Sequence, residues 1–258
     1  MNRKWIPLAV LGILAVASLG VVEQPPTVVG GKADLGDTAW LLTATGLVLL
    51  MTPGLSFFYA GMVSTKNVIS TMLQSFIALG VITIVWIVVG FSLCFGDSIY
   101  GVIGDPRTYF MFRGVNGGTH PDLAPTIPLV VFAMFQLKFA VITPALITGS
   151  FAERVRFSAY LVFICLFSLL IYCPLAHWTW HPNGFLRQWG VLDFAGGSVV
   201  HMSAGFAALA GAIETGSVLA MKARTIEDNY EFSVQPGVIG WLRACARRNG
   251  MVLEPAGQ

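Results

Sequence analysis

Five apolar segments, each near the length of a bilayer-spanning helix, run between residues 38 and 213, and they contain a single charged side chain, Lys138. A helix needs about 20 predominantly apolar residues to cross the hydrocarbon core of a membrane. Only 11% of the chain is charged, whereas soluble domains carry about 25%. The sequence therefore predicts an all-α polytopic membrane protein with five transmembrane helices. The segments are Thr38–Met62, Val68–Phe95, Ile127–Phe151, Phe157–Ala176 and Ala195–Ile213.

The flanking residues predict the rest of the domain organisation. Residues 1–22 combine basic residues, a short apolar core and small residues near the end, which is typical of a secretory signal peptide; a first membrane helix is the alternative. Residues 23–37 contain Pro and Gly and predict an external linker to the five-helix domain, residues 38–213. Residues 214–258 are mixed and polar, which predicts a flexible cytoplasmic tail.

The basic residues predict the orientation of the chain in the membrane. If the five segments alternate in direction, one set of basic residues lies on a single side, which the positive-inside rule makes cytoplasmic. The mature N-terminus is then external, in agreement with a cleaved signal peptide, and the protein is a multi-pass protein of the cytoplasmic membrane. The basic residues on that side are Lys66, Arg154, Arg156, Lys222 and Arg224.

His201 is the ionisable residue of the fifth segment. If the chain is helical from Asp193 onward, a rise of about 1.5 Å per residue places His201 roughly 12 Å beyond Asp193 and within the hydrocarbon. An ionisable side chain at that depth usually faces the interior of a helix bundle or an aqueous path. We therefore predict a functional role for His201, with a structural hydrogen bond to a neighbouring helix as the alternative.

Aromatic residues form a second candidate group. Phe135 and Phe139 lie one helical turn apart on the third segment, a spacing that core packing alone also explains. The stretch Ala176–His181, predicted to be an external loop, adds Trp178 and Trp180, and aromatic faces attract desolvated cations. Lys138 is expected to snorkel to the membrane surface or to pair with a carboxylate.

Other classes of site have weaker support. His177 and His181 are four residues apart and could form a metal site with Asp193 and His201, but Pro182 and Gly184 interrupt any helix there. The cysteines have no metal-type spacing, and the sequence contains no phosphate loop, nucleophile elbow or basic patch with interleaved aromatics. We therefore predict no enzyme activity, no cofactor and no nucleic-acid partner.

Four stretches together resemble the ammonium transporter (Amt) family, in order and with similar spacing. The resemblance runs from about residue 37 to Ala212 and corresponds to the N-terminal half of the family's fold, so we expect the tail, residues 214–258, not to belong to the family's pattern. The stretches are Gly54–Asn67, Met134–Arg154, Ala176–Trp180 and Asp193–His201.

The resemblance implies a role for each candidate residue. Trp180 looks like the aromatic wall of an external ammonium-recruiting site, with Phe135 and Phe139 beside it and Phe139 helping to gate the pore. Asp193 resembles the carboxylate that supports the site and the helix start. His201 looks like the first of two pore histidines, so that NH4+ is recruited at the aromatic site and conducted past an imidazole.

The resemblance also implies an architecture and partners. The family fold has eleven helices arranged as two inverted five-helix repeats, and this chain corresponds to the first repeat only. We therefore expect a truncated chain that is inactive alone, whose intact form is a homotrimer and whose full-length form binds a PII-type signalling protein. The alternative is a non-transporting five-helix ammonium-sensing or regulatory subunit that assembles with a full-length relative.

Overall fold

The structure, a computed structural model, describes residues 30–225, so the predicted signal peptide, residues 23–29 of the linker and the tail beyond Thr225 lie outside the described residues. The helices are α1 (Leu35–Ala60), α2 (Val68–Val85), α3 (Phe91–Phe95), α4 (Leu129–Phe151), α5 (Phe157–Phe167), α6 (Cys173–Trp180), α7 (Phe185–Gln188) and α8 (Ser203–Thr225). Short 3-10 helices cover Thr65–Asn67 and Phe110–Phe112. The strands are β1 (Ser98–Ile99), β2 (Ile103–Gly104), β3 (Thr119–His120) and β4 (Ala124–Pro128).

Single π-helical segments extend three of the helices without a break. Trp86–Gly90 joins α2 to α3, Ser168–Tyr172 joins α5 to α6, and Gly197–Met202 precedes α8. A π-helical segment adds one residue to a turn, so the side chains on either side of it change their angular position around the helix. We refer to the last of these helices, residues 197–225, as the fifth helix.

Four helical stretches of the described chain are long and apolar enough to cross a membrane. They are Leu35–Ala60, Thr65–Phe95, Leu129–Phe151 and Phe157–Gln188. These four correspond to the first four predicted segments and establish a helical membrane protein. The fifth helix is present in the described residues but is not among these four, so the predicted count of five spanning helices is not confirmed.

Two of the predicted helix ends differ by several residues from those observed. The fourth predicted segment ends at Ala176, and the residues that follow it were expected to form an external loop; the helix instead continues to Trp180. The helix ends just before His181. Pro182 follows this residue, and a proline disfavours the helical conformation of the residue before it. The fifth helix also continues beyond the predicted end at Ile213, as far as Thr225.

The prediction of an all-α fold omitted two short antiparallel hairpins. β1 pairs with β2, and β3 pairs with β4, all within the long connection between the second and third membrane helices. β4 leads directly into α4, so this third helix begins at Leu129 rather than at Ile127. Strands of two residues carry no alternating pattern from which they could be predicted.

The helix α4 forms the centre of the packed core, and small residues allow its neighbours to approach closely. A Cβ atom added at Gly149 would lie 2.5 Å from Cε1 of Tyr59 in α1, and the Tyr59 hydroxyl donates a hydrogen bond to the Leu146 carbonyl at 2.6 Å. A Cβ atom added at Gly211 of the fifth helix would likewise lie too close to the ring of Phe151, at 2.2 Å from its Cε1. Small residues at such contacts are typical of helix packing in membranes, where lipid is as apolar as the side chains.

Glu153 joins the two short connections at one end of the helix bundle. Its Oε1 accepts hydrogen bonds from the Ser64 backbone N–H at 2.8 Å, from the Ser64 hydroxyl and from Nδ2 of Asn67 at 2.9 Å. These bonds from Asn67 and Ser64 lower the pKa of the Glu153 carboxyl. The basic residues Lys66 and Arg154 therefore lie at the same end of the bundle, as the topology prediction requires.

We expect Glu153→Gln to lower the melting temperature of the detergent-purified chain by about 2–4 °C near neutral pH, since it removes hydrogen bonds to a charged acceptor worth about 1 kcal/mol at an exposed site. The pKa is lowered in the folded state, so the stabilisation is present above the ordinary value of 4.5 and is lost as the pH falls through the folded value. Thermal unfolding followed by circular dichroism at about pH 7 and about pH 4 measures this difference.

The control for this measurement is Asp105→Asn, which removes a carboxylate whose partner Arg107 is 88% exposed. Exposed ion pairs contribute little to stability, so its melting temperature should stay close to that of the wild type. A decrease in the melting temperature of Glu153→Gln that is the same at both pH values would contradict the assigned role of the Glu153 charge.

Candidate functional site

A cavity of about 470 Å³ brings together the four residues predicted to bind substrate. Phe135, Phe139, Trp180 and Asp193 all line it, although they come from α4, from α6 and from the loop before the fifth helix. The remaining lining residues are Phe95, Asp122, Leu123, Phe132, Gln136, Arg187, Phe194, Ala195 and Gly196.

The aromatic rings of this cavity contact one another edge to face. The ring centroids of Phe135 and Phe139 are 5.0 Å apart at an interplanar angle of 81°, and those of Phe139 and Trp180 are 6.2 Å apart at 69°. Tyr172 packs on Trp180 in the same way, at 6.4 Å and 77°. Edge-to-face contacts at these distances are favourable for aromatic rings. Phe135, Phe139 and Trp180 are half-buried, so each is held by its neighbours and still contributes surface to the cavity, whereas Tyr172 is fully buried behind Trp180.

Asp193 caps the start of the fifth helix. Its Oδ1 accepts a hydrogen bond from the Gly197 N–H at 2.8 Å, and its Oδ2 accepts bonds from the N–H groups of Ser198 and Val199 at 2.9 and 3.0 Å. The Ser198 hydroxyl donates a further bond to Oδ2. These N–H groups belong to the first turn, where no preceding carbonyl is available to them. Partial burial raises the pKa of the Asp193 carboxyl, but the hydrogen bonds from Ser198, Val199 and Gly197 outweigh it, so the pKa is lowered and the group is ionised.

The backbone of the same loop links the helix cap to the aromatic rings. The indole Nε1 of Trp180 donates a hydrogen bond to the Asp193 carbonyl at 3.3 Å. Gly196 has a φ of 80°, a left-handed conformation that favours glycine, and a Cβ atom there would approach the Val200 side chain to 2.8 Å. The loop therefore reverses direction immediately before the helix, and Asp193 can reach back to the first turn.

His201 lies closer to the start of its helix than the sequence predicted. Residues 193–196 are not helical, so the estimate of 12 Å from Asp193 does not apply, and His201 falls in the first turns after Gly197. Its side chain is exposed and lines a second cavity of about 360 Å³. The two cavities share Asp193, Phe194 and Ala195. The structure thus places His201 beside the aromatic cavity, across one loop, and outside it.

His177 and His181 form a structural pair. Their rings stack at 4.4 Å with an interplanar angle of 16°. His177 Nδ1 donates to the Cys94 carbonyl at 2.9 Å, which leaves Nε2 to accept from the Ser98 hydroxyl at 2.8 Å. Residues 30–225 contain no group of three side chains that could hold a metal ion. The metal-site alternative is therefore not supported, and His177 instead attaches the β1–β2 hairpin to α6.

Lys138 is half-buried and does not pair with a carboxylate. Within the part of the chain that the structure describes, the one ion pair joins Arg107 to Asp105. Of the two expectations for Lys138, the ion pair is excluded among these residues.

Sequence reasoning missed Asp122, Gln136 and Arg187 in the aromatic cavity. Gln136 lies between two predicted residues, and the spacing of Phe132, Gln136 and Phe139 along one helix face could have identified it. Its Oε1 atom is buried and has no hydrogen-bond partner among the described residues. Asp122 and Arg187 come from two separate connections, and no sequence pattern links them.

Comparisons with known proteins identify the family of this chain. The model of the Ammonium Transporter Family matches residues 39–239. The chain belongs to this family. An ammonium transporter of Aquifex aeolicus is 48% identical over 186 residues, which cover 72% of this chain and 43% of that protein. An ammonium transporter of Bacillus subtilis is 47% identical over 187 residues, covering 71% and 44%.

Solved structures agree with the sequence relatives. The crystal structure of Candida albicans Mep2 superposes with a TM-score of 0.63 at 37% identity, covering 69% of this chain and 38% of that one. A structure named Sensor Amt Protein gives a TM-score of 0.62 at 31% identity, covering 69% and 43%. The chain therefore has the helical fold of a membrane transporter family, and it is not an enzyme.

The matched residues differ in extent from those of the predicted resemblance. The chain spans less than half the length of the curated relatives it matches. The family match begins two residues after the predicted start at residue 37, and it continues past Ala212, where the resemblance was predicted to end, to residue 239. Residues 213–239 are therefore also matched by the family.

We expect Asp193→Ala to lower the melting temperature of the detergent-purified chain by about 2–8 °C, because loss of a helix N-cap destabilises by about 1–2 kcal/mol. Asp193→Asn retains one side-chain oxygen and should cost less. Differential scanning fluorimetry measures both changes. Glu214→Gln is the control, since it makes the same acid-to-amide change at an exposed position of the fifth helix. Equal stability of Asp193→Ala and the control would contradict the capping role.

Proposed function

We propose that this chain forms the recruiting side of a pathway that moves ammonium or ammonia across the cytoplasmic membrane. The observation that supports this function most directly is the convergence of Phe135, Phe139, Trp180 and Asp193 on one cavity. Membership of the ammonium transporter family gives the chemical class of the substrate.

The cavity can favour a cation that has lost part of its hydration shell. Indole and phenyl faces attract desolvated cations, and indole is the strongest of the aromatic rings in this respect. In the proposed mechanism NH4+ exchanges some of its water for contacts with Trp180 at the wall of the cavity. Phe135 and Phe139 then form an apolar barrier, which an ion crosses only at a high desolvation cost.

Selectivity follows from the proton of the ammonium ion. NH4+ can cross an apolar barrier as NH3 after it releases a proton, whereas K+ has no proton to release. His201 lies beyond the loop that forms the cavity wall, and an imidazole nitrogen can accept a hydrogen bond or a proton there. We therefore assign His201 to the pore and Trp180 to the recruiting site.

The proposed architecture extends beyond the described residues. The five helices correspond to the first of two inverted repeats, and the second repeat would cover the exposed face of the fifth helix that carries His201. In this architecture the intact protein is a homotrimer with its mature N-terminus outside, the Glu153 end of the bundle is cytoplasmic, and a full-length form binds a PII-type signalling protein. The bundle packing and the basic connections support the orientation.

A sensing or regulatory role is the second candidate function. The similarity to the structure named Sensor Amt Protein favours it, because the two chains share the described fold at 31% identity. A sensor would bind ammonium at the same cavity without conducting it. Ammonium-dependent fluorescence of Trp180 in the absence of any ammonium-evoked current would therefore distinguish the sensor from the transporter.

We expect Trp180→Leu and His201→Ala to have different effects on transport by an intact form that also contains the second repeat. Removal of the indole should raise the apparent KM for ammonium by about 2- to 30-fold, the range of a cation–π contact, with a smaller effect on the maximal current. Removal of the imidazole should change the maximal current or its pH dependence. Ammonium-evoked currents from proteoliposomes on a solid-supported membrane measure both quantities.

Two variants serve as controls for this experiment. Trp180→Phe retains an aromatic face and should recover part of the affinity that Trp180→Leu loses. Trp189→Leu makes the same substitution at an indole that is 76% exposed and does not line the aromatic cavity, and its KM should stay close to that of the wild type. Equal and negligible effects of Trp180→Leu and His201→Ala would contradict both assignments.

A further inference from the structure

The charged side chains at the aromatic cavity differ in how far they are available to a ligand. Asp122, Asp193 and Arg187 line it, so it has two carboxylates and one guanidinium. The oxygens of Asp193 already accept four hydrogen bonds from the start of the fifth helix. A carboxylate has about four acceptor positions, so Asp193 has little capacity left for a cation. Its role is therefore positioning, and although its charge also contributes to the potential in the cavity, Asp122 is the carboxylate there that does not hold the helix start and whose charge can be removed separately.

The β3–β4 hairpin fixes the position of Asp122. The Asp122 and Leu123 backbone N–H groups both donate to Nδ1 of His120, at 3.3 and 3.2 Å, which closes the turn between the two strands. The Leu129 N–H donates to the Gly118 carbonyl at 2.8 Å, and β4 continues into α4 without a loop. The carboxylate is thus attached to the same rigid element that carries Phe135 and Phe139.

Arg187 supplies the opposite charge from the connection between the fourth and fifth helices. It lies on α7, whose first residue Phe185 donates its N–H to the Gly101 carbonyl at 3.1 Å. Asp122 and Arg187 are both exposed, and they do not form an ion pair with each other. Each therefore acts on the cavity as a separate charge that water and salt only partly screen.

We propose that Asp122 concentrates monovalent cations at the mouth of the aromatic cavity and that Arg187 limits this effect. The proposal rests on the proposed function of the cavity as the recruiting site. A carboxylate near the mouth raises the local concentration of cations by the Boltzmann factor of its potential, and a guanidinium lowers it. For a unit charge at about 10 Å in water, the expected change in the local cation concentration is about twofold.

This mechanism differs from direct coordination in two ways. A long-range potential acts equally on every monovalent cation, whereas a ligand atom discriminates between them by size and hydrogen bonding. A long-range potential is also screened by salt, since the Debye length falls from about 30 Å at 0.01 M to about 3 Å at 1 M. In the transport assay, Asp122→Asn should raise the apparent KM for ammonium and the inhibition constant for K+ by the same factor.

A cation that quenches tryptophan fluorescence tests the potential without requiring transport. Thallium(I) is a monovalent cation that quenches indole emission, and acrylamide is a neutral quencher. Both would be titrated into the full chain in nonionic detergent, and the Trp180 contribution would be obtained by subtracting the signal of the matching Trp180→Phe variant. The measured quantity is the quenching constant at low and at high ionic strength.

We expect Asp122→Asn to lower the thallium quenching constant of Trp180 about twofold at low ionic strength, and Arg187→Gln to raise it by a similar factor. Both differences should disappear at about 1 M salt. The acrylamide constants should not change, which excludes an altered exposure of the indole. Asp105→Asn is the control, because it removes a half-buried carboxylate that pairs with Arg107 and does not line the cavity.

Two outcomes would overturn the proposal. Thallium quenching in Asp122→Asn that equals the wild-type value at low ionic strength excludes a charge effect at the indole. An equal decrease in Asp105→Asn assigns the effect to the general surface charge. The absence of ammonium-evoked current in an intact form that contains both repeats, together with the expected quenching pattern in this chain, would instead contradict the proposed transport function and leave Asp122 as a cation-concentrating residue.

Discussion

The hydrogen bonds from the first turn of the fifth helix to the Asp193 carboxylate are the constraint on which the candidate site depends. The N–H groups of Gly197, Ser198 and Val199 have no carbonyl before them because Gly196 turns the chain away from the helix axis. Asp193 satisfies all three and is held by them in return. The backbone carbonyl of the same residue accepts the hydrogen bond of the Trp180 indole N–H, so one loop position fixes both the helix start and the Trp180 ring.

The rest of the bundle provides a rigid frame for this loop. In lipid, helices gain little from burying apolar surface against one another, and close packing and hydrogen bonds must hold them together. Gly149 and Gly211 allow the rings of Tyr59 and Phe151 to approach the backbone, and the Trp86 indole donates to the Ala133 carbonyl at 3.1 Å. These contacts surround α4 and thereby fix the helix that presents Phe135 and Phe139.

Much of this arrangement could be predicted from the sequence, because apolar length and helical spacing are local properties. Hydropathy predicted five spanning helices, of which four are long and apolar enough in the structure, and the spacing of Phe135 and Phe139 predicted rings on one face. The helical end at Trp180 and the non-helical residues 193–196 were not predicted, since each depends on one residue, the proline at 182 or the glycine at 196, against an apolar background. Asp122 and Arg187 could not be paired from sequence, because only the folded hairpin and α7 bring them to one cavity.

The separation of the aromatic rings from His201 has a physical consequence for the proposed transport. Cation–π contacts favour the charged form of the substrate, whereas a neutral imidazole favours a step in which a proton is given up. If both groups lined one cavity, stabilising NH4+ would oppose its deprotonation. The loop 193–196 is the wall between the two cavities, with Phe194 and Ala195 lining both. The Asp193 cap therefore keeps the aromatic cavity apart from His201, and in the proposed mechanism it separates stabilisation of the charge from acceptance of the proton within the length of one loop.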